Sequence, residues 1–480
     1  MTAAPRPVAL PAILGGIRPR FRGRELALLL LVAAALIAGG ISLGTTVRYR
    51  AGKDVIALAN PGLLAVYLGA LLAAHLAQVL AGRRTDQVLL PTVGMIGGLG
   101  LLLMERLPQG LVEQHVFGQT LGLAVVQLAW LLIAITIITI LAIVVRSDRW
   151  LRLYKYTWAA AGVGLLLLVF VLGRDVNGAR LTLEFGPISG QPSELLKVVL
   201  VVFLAAYLSE NRALLTDEYL SLGPVHLPPL PYLLPMVAMW LIALLIVVVQ
   251  RDLGAALLFF AVFLLMLYVA TARWSYVVMG LVAFVAGAAL MYGLFEHVQT
   301  RVDIWLDPFR DASGAGYQVV QALYAFGRGG ILGMGLGGGL PEVAGRLPIP
   351  AVHTDFPFAA LGEELGLIGI LGLLGLYLVV IERGLRIAAS AADDFRALLA
   401  AGLSLVVGVQ AFIIAAGNLK LIPLTGITLP FISYGGSSLL ANAIVVGLLL
   451  ALSDRGVEPP PPPRQRRRRR LARMFSGEKA

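Results

Sequence analysis

The sequence predicts an all-α, polytopic integral membrane protein of about 12 transmembrane helices, and three observations carry that reading. Of 480 residues, 59% are hydrophobic and 14% charged, against about 25% charged in an ordinary soluble domain. Apolar runs of about 20 residues recur, each able to cross a hydrocarbon core of roughly 30 Å as a helix that satisfies its own backbone hydrogen bonds. Charge or Gly/Pro clusters punctuate the runs.

The runs lie near 26–43, 61–81, 88–104, 119–145, 157–172, 194–208, 231–249, 253–271, 275–294, 356–381, 398–417 and 431–453. Residues 1–25 carry arginines and prolines and read as a cytoplasmic segment. The run from Leu26 reads as a retained anchor, since no small-residue cleavage site follows it cleanly. With the N-terminus inside, inner segments hold 25 Lys/Arg and outer ones 12, with Lys197 inside a helix. That asymmetry predicts a multi-pass plasma-membrane protein with both termini cytoplasmic. Arg48, Arg50 and Lys53 run against it, in the first outer loop.

A long extracellular loop near 295–354 is expected to be structured or re-entrant, because Gly327 to Gly339 and prolines 341, 348 and 350 break any span. The tail, 456–480, joins Pro459–Pro463 to Arg464 and Arg466–Arg470. It reads as a low-complexity anchor on anionic membrane lipids, with docking of a partner as the alternative. The chain thus divides into the segment 1–25, N-terminal helices over 26–150, a transmembrane core over 151–455 and this tail.

Several functions are excluded or disfavoured. With no cysteine, disulfides and Cys-ligated metals are ruled out. No P-loop or Rossmann glycine pattern stands in strand-helix context, which argues against nucleotide-driven pumping. The net charge of +11 is dispersed over loops and one tail, so it points to topology and not to nucleic acid.

Ionisable residues near membrane depth are costly and mark candidate sites. The first cluster runs from Asn177-Gly-Ala-Arg180 through Gln191-Pro-Ser-Glu194 to Lys197; Glu194 and Lys197 stand one turn apart and could pair on one helix face. The second is Gln250-Arg251-Asp252, where Arg251 and Asp252 could instead satisfy each other. The third is His353-Thr354-Asp355 with Glu363-Glu364 beyond it. Asp355 could be a helix cap, whereas Glu363, two turns in, cannot. The fourth runs from Pro423 to Ser438 and contains Ser433, Ser437 and Ser438; its glycines suit close helix packing as well as substrate contact.

At these clusters the chain resembles the SEDS family (shape, elongation, division and sporulation), typified by RodA and FtsW. The motifs are NGAR (177–180), QPSELLK (191–197), QRDLG (250–254), GYQVVQALYAFGRGGILGMGLG (316–337), HTDFPFAALGEELG (353–366) and PLTGITLPFISYGGSSL (423–439), in order over about 150–455. Two helices precede the family's usual ten, as in its longer variants. Thr182 stands where the family usually has tryptophan, and Arg251 where it often has proline.

The resemblance implies a peptidoglycan glycosyltransferase that polymerises lipid II, the undecaprenyl-pyrophosphate-linked precursor, at the outer membrane face. It implies Asp355 as general base, and Arg180, Lys197 and Arg251 as candidates for the departing diphosphate. Glu194, Asp252, His353, Thr354, Glu363, Ser433, Ser437 and Ser438 are the remaining candidate substrate-binding residues. No cofactor is required; a divalent cation, Mg or Mn, could share the charge, and no metal ligands are assigned. A class B penicillin-binding protein transpeptidase is the implied partner. The competing readings are a lipid II flippase and a non-catalytic scaffold. Transport needs polar groups reachable from both faces, whereas these concentrate at the outer one.

Overall fold

The computed structural model describes residues 19–454 except 54, 108–112, 117–118, 177–178, 186–187, 218–219, 223–224, most of 228–251, and 340–346. It is a helical, multi-pass membrane architecture, with helices α1 (Gly23–Arg50), α2 (Pro61–Leu80), α3 (Leu89–Arg106), α4 (Leu123–Val144), α5 (Arg149–Leu153), α6 (Lys155–Leu172) and α7 (Pro192–Asp217). There follow α8 (Leu253–Thr271), α9 (Trp274–Leu294), α10 (Glu296–Leu306), α11 (Tyr317–Gly329), α12 (Pro357–Ala389), α13 (Asp394–Asn418) and α14 (Gly436–Ser453).

Eleven of the twelve predicted runs coincide with helices, and the one near 231–249 falls outside the described residues. Among the described residues, ten helices are long and apolar enough to cross a membrane; α6 is the predicted run that misses that measure. The run expected near 194–208 extends over the whole of α7. Local chemistry sets several helix starts. Asn60 accepts from the Leu63 amide at 3.3 Å, with Pro61 at the first helical position, and Asp393 accepts from the Arg396 amide at 3.1 Å.

The segment near 295–354 is helical over much of its length, through α10, a 3-10 turn at Pro308–Asp311, and α11. Among the described residues, three small antiparallel sheets also occur in connecting segments: Glu113–Val116 with Gln119–Gly122, a three-stranded one over Arg174–Gly190, and Leu220–Leu222 with Val225–Leu227. Helical periodicity gave no signal for these short pairings.

Two compact units are distinguished. The first comprises the described residues up to Val144, with 321–376 and 431–454. In it α14 packs along α4, with Gly447 over Leu141 and Ile138 and Gly436 over Trp130, the close approach that small residues permit. Where α1 begins, Arg22 and His75 both contact the buried Glu25 carboxylate, at 2.5 and 2.7 Å, and Arg83 pairs with Asp454 at 2.8 Å. These pairs tie α1 to α2, and the segment after α2 to the end of α14.

The second unit comprises 145–320 and 377–430. Helix α7 is its centre, packed against α6, α8 and α13, with Leu204, Ala205, Ala206 and Leu208 wholly buried. Because α7 is enclosed on several sides, its apolar run is nearly continuous around the helix and not confined to one stripe.

Candidate active site

In the first unit the chain turns through Ala351–Asp355 before α12. The amides of Thr354, Asp355 and Phe356 all donate to the Ala351 carbonyl, at 3.2, 2.9 and 3.2 Å. This tight turn sets Asp355, half-buried, at the mouth of the helix. A second segment pins it: Ser433 Oγ donates to the Thr354 carbonyl at 2.6 Å, and the Tyr434 amide donates to the His353 carbonyl at 2.7 Å. The His353 and Tyr434 rings lie 6.2 Å apart. Burial lowers the His353 pKa and raises that of the Tyr434 phenol, so both side chains are neutral near pH 7. The turn therefore presents one carboxyl group, Asp355, beside a neutral imidazole.

Two turns into α12, Glu363 and Glu364 are almost fully buried, each 1% exposed. Glu363 accepts from Arg328 Nε at 2.8 Å, and Glu364 pairs with Arg106. The helix breaks just beyond, at Gly366, whose φ of 66° and ψ of −169° are open to glycine and strained for other residues. The glycine-rich segment fills the break. Met334 and Gly335 amides donate to the Glu363 and Glu364 carbonyls, both at 2.9 Å, while Leu367 and Ile368 donate to the carbonyls of Gly330 and Ile331 at 2.9 and 3.2 Å. A Cβ at Gly333 would lie 2.2 Å from the Glu364 carbonyl oxygen, so only glycine fits. Residues 357–365 are thus a short half-helix with its own supports, and Asp355 stands at its start.

The second unit holds a separate polar pocket. Lys197, 1% exposed, donates to Glu194 at 2.7 Å and to Gln410 Oε1 at 2.8 Å. Gln410 donates onward to the Thr428 carbonyl at 2.9 Å, and the Thr428 hydroxyl donates to Glu194 at 3.4 Å. Asp252 caps α8 through the Ala255 amide at 2.9 Å and accepts from Ser193 and Gln191, both at 3.2 Å. These groups line a cavity of about 30 Å³, room for one water molecule.

The predicted Glu194–Lys197 pair is present, and Glu363 is indeed not a cap. Asp252 is held by Ser193, Gln191 and the first turn of its own helix, and the suggested pairing with Arg251 falls outside the described residues. Arg180 lies on the strand Ala179–Phe185, and Arg251 falls outside the described residues. Ser438 accepts from Asn442 at 3.2 Å, and Ser437 is half-buried. Sequence reasoning missed Gln410, although a polar residue inside the run 398–417 is a functional candidate by default. It also missed Arg106 and Arg328, counted there as topogenic charge. Among the described residues, no three His, Asp or Glu side chains gather as metal ligands.

Residues 87–456 match the model of the FtsW/RodA/SpoVE cell cycle proteins. The chain belongs to the FtsW/RodA/SpoVE family. It is 42% identical over 389 residues to the Mycobacterium tuberculosis peptidoglycan glycosyltransferase RodA, covering 80% of this chain and 81% of that one. To the probable peptidoglycan glycosyltransferase FtsW of Geobacter sulfurreducens it is 36% identical over 323 residues, 66% of this chain and 82% of the relative. Among solved structures, it matches a chain of a peptidoglycan synthase complex that coordinates polymerization and crosslinking, with TM-score 0.60 and 28% identity over 77% of this chain and 98% of that one. The Thermus thermophilus rod shape determining protein RodA matches with TM-score 0.52 and 27% identity, over 77% and 97%. Both α1 and α2 lie ahead of the FtsW/RodA/SpoVE match, whereas both polar clusters lie within it.

Proposed function

We propose that this chain polymerises lipid II into glycan strands at the outer face of the plasma membrane, with Asp355 as general base. Membership of the FtsW/RodA/SpoVE family makes it a peptidoglycan glycosyltransferase, and the proposal concerns how its residues do that work. The observation that carries it is the turn at 351–355. One carboxyl group is fixed at a helix mouth by hydrogen bonds from a second segment, as a group that must meet a reacting hydroxyl requires.

In this reading the Asp355 carboxylate takes the proton of the acceptor sugar's hydroxyl as its oxygen attacks the anomeric carbon of the donor. The bond from that carbon to the diphosphate breaks, undecaprenyl diphosphate leaves with the electron pair, and the configuration inverts. General-base assistance of this kind is typically worth about 10² to 10⁴ in rate. Lys197, with Arg180 and Arg251, would stabilise the diphosphate charge. Buried against Glu194 and Gln410, Lys197 suits a role through the local field better than a direct grip. Ser433, bonded to Thr354, would hold the turn.

Both termini would lie in the cytoplasm, which puts the turn at the outer face. A class B transpeptidase, docked through membrane helices, would cross-link the strands. The test is purified full-length protein, with and without such a transpeptidase, given labelled lipid II and compared with Asp355→Asn and Asp355→Ala. Long glycan from wild type and none from either variant is expected. Polymer from Asp355→Ala at near wild-type rate would remove the base, and lipid II translocation without polymer would support a flippase.

A further inference from the structure

Helix α1 stands outside the family match, yet its last turns touch the segment that supports the half-helix at 357–365. Arg50 donates from Nη2 to the Gly338 carbonyl at 2.6 Å. A Cβ at Gly337 would lie 3.0 Å from Leu43 Cδ1 and 3.3 Å from Thr46 Cβ, so the backbone there runs directly against α1. A Cβ at Gly39 would meet Leu336 Cδ1 at 3.2 Å, which puts Leu336 over the preceding turns of α1. Leu43 is 2% exposed.

The same glycine-rich segment reaches the other way. A Cβ at Gly339 would lie 2.9 Å from Glu364 Cγ, and the Met334 and Gly335 amides hold the Glu363 and Glu364 carbonyls. A continuous line of contacts therefore runs from Leu43, Thr46 and Arg50, through residues 333–339, to the half-helix at whose start Asp355 stands. Every member belongs to the first unit.

We propose that α1 is a positioning element of the active site and that Arg50 is a positioning residue, acting through the glycine-rich segment on the half-helix that carries Asp355. This accounts for a basic residue that the topogenic pattern disfavours: the Arg50 guanidinium is used on the Gly338 carbonyl. With four positive-φ glycines, at 330, 333, 335 and 337, the segment has little intrinsic preference for one path, and contact with α1 selects one. A displacement of about 1 Å at a reacting group can cost on the order of 10²-fold in rate, so a modest loosening here reads out in kcat.

The inference rests on Asp355 being the base, and the experiment separates the two. Full-length Arg50→Gln, Arg50→Lys and the charge-matched control Arg48→Gln, an exposed arginine on the same turn, are assayed for lipid II polymerisation across pH, with melting temperature measured alongside. Arg50→Gln should lower kcat about fivefold to tenfold with KM nearly unchanged, a partial loss on the misplacement scale. It should also shift the acid limb of the pH profile that reports Asp355. Arg50→Lys should recover most of the rate, and Arg48→Gln should match wild type.

Wild-type kcat in a folded Arg50→Gln, or equal losses in Arg50→Gln and Arg48→Gln, would overturn the clamp. Should Arg50→Gln fail to fold, Leu43→Val, which removes the Cδ1 atom nearest Gly337, provides the same comparison at that contact. If Asp355→Ala remains active, the reading of the reaction fails. If Asp355→Ala is inactive while Arg50→Gln is fully active, only the clamp fails.

Discussion

Ser433 Oγ reaches the Thr354 carbonyl at 2.6 Å, and this bond joins two segments 79 residues apart in sequence at the residue next to Asp355. The hydroxyl spends its proton on the protein's own backbone. Ser433→Ala should therefore loosen the turn without removing a substrate contact. Stability should fall by about 1 kcal/mol, the net worth of a typical hydrogen bond. The polymerisation kcat should fall more than KM rises, because the loss lies in orientation. Steady-state kinetics with labelled lipid II decide: a rise in KM alone would make Ser433 a binding residue.

In the second unit, the buried Lys197 pairs with the part-buried Glu194 and is braced by Gln410. Removing the lysine leaves a part-buried carboxylate uncompensated, at a cost of up to about 3–5 kcal/mol, whereas removing both members can be nearly neutral. Lys197→Met should unfold at markedly lower temperature than Lys197→Met/Glu194→Gln. If Lys197 supplies charge to the departing diphosphate as proposed, activity should stay low in both. Full activity in the folded double variant would reduce the pocket to a packing role.

The sequence made the spans legible because a run of about 20 apolar residues has few other uses. Asp355 and the Glu194–Lys197 pair were legible for a related reason, since charge near membrane depth stands out against lipid-soluble neighbours. What stayed hidden were the partners. Nothing in the spacing joins Arg106 to Glu364 or Lys197 to Gln410, which are hundreds of residues apart and depend on tertiary packing. The break at Gly366 was hidden too, because an apolar run looks the same whether the helix inside it is whole or interrupted.

His353 supplies a pH dependence whose direction follows from its environment. Burial holds its pKa below the ordinary value of 6.5, so the unfolded chain takes up a proton at a pH where the folded one does not. Stability is then fully present above about pH 6.5 and declines as pH falls below it, since the unfolded state binds more protons there. Thermal unfolding between pH 7.5 and 5.5, a range chosen to bracket about 6.5, should show a downward slope that His353→Gln flattens. Parallel slopes would mean that the imidazole takes up its proton equally in the folded and unfolded chains.

The most stringent prediction concerns Gly333 and Gly366, which face each other across the break in α12. A Cβ at Gly366 would lie 2.3 Å from the Gly333 nitrogen, and one at Gly333 would lie 2.2 Å from the Glu364 carbonyl oxygen. Both are backbone atoms, so no side chain can swing aside. Both residues also have positive φ, at 66° and 82°, where alanine is disfavoured by about 1 kcal/mol before any clash is counted. Gly333→Ala should expel the glycine-rich segment from the break, freeing the Glu363 and Glu364 carbonyls and the Leu367 and Ile368 amides. Unpaired backbone groups at membrane depth cost several kcal/mol each, so α12 should respond by rejoining into a continuous helix. Hydrogen exchange over 330–336 and 363–368 measures this directly. Loss of protection in the first stretch with protection kept in the second, alongside lost polymerisation, is the expected pattern; unchanged exchange with full activity would show that the break tolerates a side chain.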